Sequence, residues 1–215
     1  MRHQPKKKGK DKDMANNHMT TPKGIAVWPR LTEPDTKFDS AGVYSTKLHV
    51  TEKDFKPFED KVRELYEAYH ANVEKETGKK HGASEGYPCR ITKEGDYEIY
   101  AKQVAKKLTD KGLLEFSVAL FDSAGKKIKD KPNVGSGSIL KLSVEPVCWS
   151  MNQKGAGLVT GVSLRLKAAQ IIELKEFGSG GDFGFSAEGI GYVSETFETE
   201  LTSEEGGEKT DSIPF

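Results

Sequence analysis

The sequence predicts a mainly β domain, a small five-stranded barrel with one inserted amphipathic helix, followed by a disordered acidic C-terminal tail. Three observations predict it. Short segments of strand composition recur between glycine-rich or charged turns, the pattern of an all-β barrel or sandwich rather than of alternating β and α units. One stretch, residues 51–77, breaks that pattern with apolar residues at helical spacing. Residues 195–215 hold seven carboxylates, one lysine and too few apolar side chains to offset the entropy of ordering.

Residues 1–22 read as a flexible basic N-terminal arm. Its start, MRHQPKKKGKDK, lacks the apolar run that secretion needs. It is either an arm that grips phosphate or a leader of vector or upstream origin, with Met14 and Met19 as alternative first residues. Strands follow over residues 25–28 and 43–50. In the helical stretch, Phe55, Phe58, Val62, Leu65, Tyr66, Tyr69 and Val73 share one face. Pro57 suits only a first turn, which favours Asp54 over Thr51 as the N-cap, and Gly78 can close the helix in a left-handed conformation. Residues 78–96 form a polar, glycine-rich surface loop, either a ligand-contacting loop or a solvated connector. Further strands cover residues 97–101, 113–121, 139–149 and 158–174, the last bent or split at Gly161 because glycine in a strand often marks a bulge or barrel corner. A barrel with one helix between its strands is the outline of an OB-fold. The expected organisation is an arm over 1–22, the OB-fold domain over 23–181 and the tail over 182–215.

Bulk properties narrow the function. The chain has 215 residues, 35% hydrophobic and 31% charged, enough for one ordinary domain with disordered ends. Bases and acids balance at 33 each, yet they are segregated: the last 21 residues carry a net −6, leaving a body of 32 bases and 26 acids, net +6. The body is the basic half. Cys89 and Cys148 have no paired spacing, which fits a reducing compartment and neither a disulfide framework nor a metal site. No apolar run approaches the roughly 18 residues of a membrane span. The five histidines are scattered, and no nucleophile elbow or P-loop is present; Gly135-Ser136-Gly137-Ser138 lacks the following lysine and reads as a turn. Neither catalysis, a metal nor a cofactor is expected.

What remains is a binder's composition, aromatics interleaved with bases on strands. A protein that holds a single strand without reading sequence needs a basic groove for phosphates and flat side chains for unpaired bases. Trp149 is the leading stacking candidate, ending an apolar strand beside the polar loop that begins at Ser150, a position at a barrel rim; the alternative is a core tryptophan. Tyr97 and Tyr100 lie on opposite faces, and Tyr100 is favoured by Lys102, Lys106 and Lys107. Tyr44 and Trp28 are further candidates, each equally suited to packing. Lys141, Arg165 and Lys167 alternate with apolar residues and complete a candidate phosphate track with Lys102, Lys106 and Lys107.

The chain ends on Asp211-Ser212-Ile213-Pro214-Phe215. An aromatic anchor, a proline-stiffened approach and a carboxylate make a compact recognition element, with Asp211, Ile213, Pro214 and Phe215 as its partner-binding residues; a solubilising tail is the plain alternative. This terminus resembles the acidic, phenylalanine-ended tail of bacterial single-stranded-DNA-binding protein. The order and spacing of Gly42-Val43-Tyr44, the helical block 51–77, Asp122-Ser123-Ala124-Gly125-Lys126-Lys127, Gly135-Ser136-Gly137-Ser138, Pro146-Val147-Cys148-Trp149 and Glu173-Leu174-Lys175-Glu176-Phe177-Gly178 resemble the single-stranded-DNA-binding proteins of short-tailed (podovirus) bacteriophages. That resemblance implies an OB-fold that coats single-stranded DNA in phage DNA replication, recombination and repair. It also implies recruitment of the replicative DNA polymerase and helicase-primase through the tail, strand annealing, a homodimer, and action in the cytoplasm of the infected bacterial host. One departure stands out: the family pattern before Trp149 carries a second aromatic and a base where this chain has Val147 and Cys148, which places more of the stacking on Trp149. Two rival readings are an RNA-binding, cold-shock-like chaperone using the same groove, and a non-nucleic-acid adaptor or inhibitor acting through the helix.

Overall fold

The computed structural model describes residues 18–110, 112–155 and 157–176; residues 1–17 of the expected arm and the whole expected tail, 182–215, lie outside the described residues. The elements are β1 (Met19–Thr20), β2 (Gly24–Asp35), β3 (Val43–Val50), α1 (Glu52–Thr77), β4 (Gly82–Ala83), β5 (Cys89–Ile91), β6 (Tyr97–Val104), β7 (Lys106–Thr109), β8 (Gly112–Glu115), β9 (Ala119–Phe121), β10 (Ile139–Gln153) and β11 (Gly157–Glu173). Five of these strands close on themselves: β2 pairs with β3, β3 with β6, β6 with β11, β11 with β10, and β10 again with β2. The β6–β11 contact is parallel and the other four are antiparallel. This is the expected five-stranded OB barrel, closed so that no barrel strand is left as a long free edge.

Alternation builds the barrel. On β10, Leu140, Leu142 and Val144 face inward and are fully buried, while Lys141, Ser143 and Glu145 alternate outward. The core they enter also contains Ala26, Leu48, Ile99, Leu120, Leu164 and Leu166. Tyr44 belongs to it as well, at 9% exposure, so its candidacy for stacking is corrected: in the VYSTKLHV segment it shares the inward phase with Thr46 and Leu48.

Helix α1 caps the barrel through its N-terminal half, where Phe55, Phe58 and Val62 are buried and Phe55 meets the Tyr97 ring at 5.2 Å. Leu65 is left 36% exposed. The N-cap is Thr51, not Asp54. Its hydroxyl accepts the Asp54 N–H and donates to the Asp54 carboxylate at 2.8 Å, so the two residues share the capping work. Pro57 therefore sits one turn further in than expected. It removes the hydrogen bond to the Lys53 carbonyl, a loss tolerated because both residues lie on the helix's exposed side. Gly78 ends the helix at φ 66° and donates its N–H to the Glu74 carbonyl.

Other expectations are redrawn. Met19 and Thr20, assigned to the arm, pair with β10, and Thr21 is buried. The loop over 78–96 contains two short strands, because β4 adds to β11 and β5 to β6 with Cys89 buried beneath. The segment 113–121 divides into β8, hairpinned with β7, and β9, paired with β11. Strand β11 runs through Gly161 without a break.

Candidate nucleic-acid interface

The barrel's outer face is assembled from residues in outward phase on four strands. Lys47 on β3 lies opposite Tyr100 on β6, and Ser45 lies opposite Lys102. In the parallel β6–β11 contact Lys102 stands beside Arg165. On the β10–β11 ladder Val147 lies opposite Ser163, and Trp149 opposite Gly161. This register brings residues more than a hundred positions apart into one surface.

Two adjoining cavities occupy it. The first, about 260 Å³, is lined by Lys47, Tyr87, Arg90, Tyr100 and Lys102 among others. The second, about 510 Å³, is lined by Lys102, Lys107, Leu114, Phe116, Val147, Trp149 and Arg165 among others. Lys102 and Ser163 line both, so the two form one groove in which bases alternate with flat rings. A third cavity, about 460 Å³, lies further along the β10–β11 ladder and is lined by His18, Phe121, Lys141 and Lys167 among others.

Trp149 is held from two sides. Its indole N–H donates to the Ser163 hydroxyl at 3.0 Å. A Cβ at Gly161 would come within 2.3 Å of the ring atom Cζ2, so the ring lies directly on the Gly161 backbone. That close approach, and not a bulge, is why this strand carries glycine. Cys148 has the opposite phase and donates its thiol toward the Leu65 carbonyl at 3.8 Å; burial pushes that thiol's pKa up. The groove wall beside Trp149 is the β7–β8 hairpin, whose Lys107, Thr109 and Leu114 face the cavity. Lys106 has the other phase, pairs with Glu115 at 3.7 Å, and does not line the groove.

Two carboxylates organise the bases. Glu98 is only 3% exposed in its side chain and sits among Arg90 at 2.7 Å, Lys47 at 3.2 Å and His49 at 3.7 Å. Burial pushes the Glu98 carboxyl up, but hydrogen bonds from Arg90 and Lys47 outweigh it and hold the group below the usual carboxylate range. It stays ionised at neutral pH and fixes both cations at the groove's rim. Glu145, on β10, pairs with Lys167 at 2.7 Å and Arg165 at 3.5 Å.

Of the residues singled out in the sequence, Trp149, Tyr100, Lys102, Lys107 and Arg165 come together in the joined groove, and Lys141 and Lys167 in the third cavity. Trp28 does not join them. It is 73% exposed and lines a separate cavity of about 270 Å³ with Arg30, Asn133 and Ser136 among others. The tail residues Asp211, Ile213, Pro214 and Phe215 lie outside the described residues. Sequence reasoning missed Lys47, Arg90 and Phe116. The signal for Lys47 was present, since strict alternation in VYSTKLHV puts Lys47 outward wherever Leu48 is inward; Arg90 depends on the pairing of β5 with β6, which sets it opposite Glu98, and Phe116 on a loop, and no local pattern marks either. Among the described residues no group of His, Cys, Asp and Glu could hold a metal ion, and no helix is long and apolar enough to cross a membrane.

A closed OB barrel with a basic, aromatic-lined groove is the architecture of proteins that bind oligonucleotides or oligosaccharides. No family model matches the chain. Its sequence resembles the single-stranded DNA-binding protein of Escherichia phage T7, at 29% identity over 171 residues, covering 71% of this chain and 72% of that protein. It also resembles the protein of the same name from Enterobacteria phage T3, at 28% identity over 158 residues and 66% of each chain. Among solved structures, gp2.5 of bacteriophage T7, a single-stranded DNA-binding protein, shares the fold with a TM-score of 0.65, 22% identity, and coverage of 78% of this chain and 97% of that one. The single-stranded DNA-binding protein of bacteriophage Enc34 in complex with single-stranded DNA gives a TM-score of 0.55 at 15% identity, over 75% of this chain and 89% of that one.

Proposed function

We propose that this chain is a phage single-stranded-DNA-binding protein whose groove holds a strand without reading its sequence. The carrying observation is the joined cavity pair that places Trp149 and Tyr100 among Lys47, Arg90, Lys102, Lys107 and Arg165. Rings of this kind accept any base, and the cations follow the phosphates, so neither group needs a particular sequence. The names of the phage relatives support the same reading. The role is that of a binder, not of an enzyme.

The test is a tryptophan-fluorescence titration with poly(dT) at several salt concentrations. Emission should be quenched, and log affinity should fall linearly with log salt by about 0.7 per phosphate neutralised. An unchanged emission together with a flat salt response would remove the proposal. Repeating the titration with an RNA oligonucleotide of matched sequence separates this reading from an RNA chaperone, because a 2′-hydroxyl must then be accommodated.

The acidic tail carries the second half of the proposal: recruitment of a replicative polymerase and helicase-primase, in replication, recombination and repair within the infected host, with annealing and dimer formation alongside. Its net −6 against a body of +6 supports it, since a tethered polyanion has a high effective concentration at a basic groove. Deleting residues 195–215 should raise DNA affinity, most at low salt, and abolish polymerase binding. Deleting Phe215 alone should abolish polymerase binding while leaving DNA affinity unchanged. Normal polymerase binding by the second variant would show that the aromatic tip recruits nothing.

A further inference from the structure

Glu145 interrupts the line of bases. It stands on β10 between Lys141 and Ser143, which line the third cavity, and Val147 and Trp149, which line the second. Its two partners belong to the two sides: Arg165 lines the second cavity and Lys167 the third. The carboxylate oxygen Oε2 accepts from Lys167 Nζ at 2.7 Å and lies 3.5 Å from Arg165 Nη1. A backbone that passes from Trp149 toward Lys141 along this ladder crosses that spot. An oxygen held between an ammonium and a guanidinium is also where a phosphate oxygen would rest.

The second acid of the face is built differently. Glu98 is sealed under its cations at 3% exposure, whereas the Glu145 side chain is 18% exposed and the side chains of its partners are 35% and 44% exposed. Ion pairs open to solvent contribute little to stability and exchange readily. The Lys167 hydrogen bond holds the Glu145 carboxyl below its usual range, so the triad carries one net positive charge instead of two near neutral pH.

We propose that Glu145 is a built-in competitor for the DNA backbone: its carboxylate occupies Arg165 and Lys167 in the free protein, and a phosphate must displace it for a strand to run from the Trp149 cavity into the Lys141 cavity. Glu145 thereby lowers affinity for single strands and keeps the protein exchangeable on them. The proposal rests on the single-stranded-DNA reading and concerns the regulation of the same groove.

The experiment compares the full chain with Glu145→Gln, which keeps the shape of the side chain and removes its charge, in poly(dT) titrations across salt. Freeing one net charge should tighten binding roughly five- to tenfold near 50 mM salt and steepen the log–log slope by about 0.7. Adding Lys167→Gln to that variant should return the slope to the wild-type value. Melting temperatures are recorded beside each titration. Equal or weaker binding by Glu145→Gln, with or without a lower melting temperature, overturns the proposal and leaves Glu145 a strut between β10 and β11. If wild type itself fails to bind at low salt, the functional reading falls and this proposal with it; if wild type binds with the expected slope and Glu145→Gln does not gain, only the proposal falls.

Discussion

The two tryptophans of this chain occupy opposite physical situations. Trp149 is half-buried on a long ladder, its ring seated on Gly161 and its N–H bound to Ser163. Trp28 is 73% exposed at a break in the β2–β3 register, has a left-handed backbone at φ 49°, and uses its backbone N–H, not its ring, to bond Ser136 at 3.0 Å. The more reachable ring is the less prepared one. A base that stacks on Trp149 meets a side chain already held by the sheet, whereas Trp28 is 73% exposed, and ordering an exposed side chain on binding reduces the net gain. Exposure alone is thus a poor guide to a stacking platform. The lining cations agree with this ranking, since Lys102, Lys107 and Arg165 surround the cavity of Trp149, while Trp28 shares its own with Arg30.

The largest effect expected from this contrast is at Trp149. Trp149→Ala should weaken single-stranded-DNA binding by about 1–3 kcal/mol, the value of one stack, with the fold retained. Gly161→Ala sharpens the test without removing the ring. Its backbone is one that any residue adopts, so the added methyl acts only by pushing the indole from its seat. The loss of affinity should be of the same order as for Trp149→Ala, both read by titrating a dye-labelled oligo(dT), whose signal does not depend on the tryptophan that is removed. Wild-type affinity in Gly161→Ala would mean that the seat does not matter.

A smaller effect is expected at Trp28. Trp28→Gly removes the exposed ring and relieves a left-handed residue that costs about 1 kcal/mol, a gain partly offset by the freer unfolded chain. Melting temperature should hold or rise slightly, and DNA affinity should change less than in either variant above. A fall in affinity equal to that of Trp149→Ala would make Trp28 a second platform and break the comparison.

Much of this contrast was out of reach of local pattern. Trp149 was legible as an aromatic next to a polar stretch, but the strand does not stop there as expected: β10 runs on to Gln153, paired with β11 as far as Gly157, so the ring sits within the ladder and not at its end. Gly161 was legible only as a bulge, since nothing in the chain says that the residue opposite it is a tryptophan. Tyr44 and Lys47 were both visible on one strand, and only the inward phase of Leu48 separates core from groove. The helix was legible from its period, but its start depended on the Thr51–Asp54 hydrogen bonds, which outweighed the displaced Pro57.

The amino-acid sequence by itself determined the period of the helix and of the longer strands, the single helix among strands, the net −6 of residues 195–215 and the basic character of the body. These are local properties, set by side-chain volume, hydropathy and charge along a few neighbouring residues. Only the tertiary structure decided that β10 closes onto β2, that Lys47, Tyr100, Lys102 and Arg165 share a face, and that Glu145 rests between Arg165 and Lys167. Register is fixed by the whole barrel at once, because a slip of one residue in any strand would turn its buried face to water. No single segment carries that constraint, and so no single segment displays the groove.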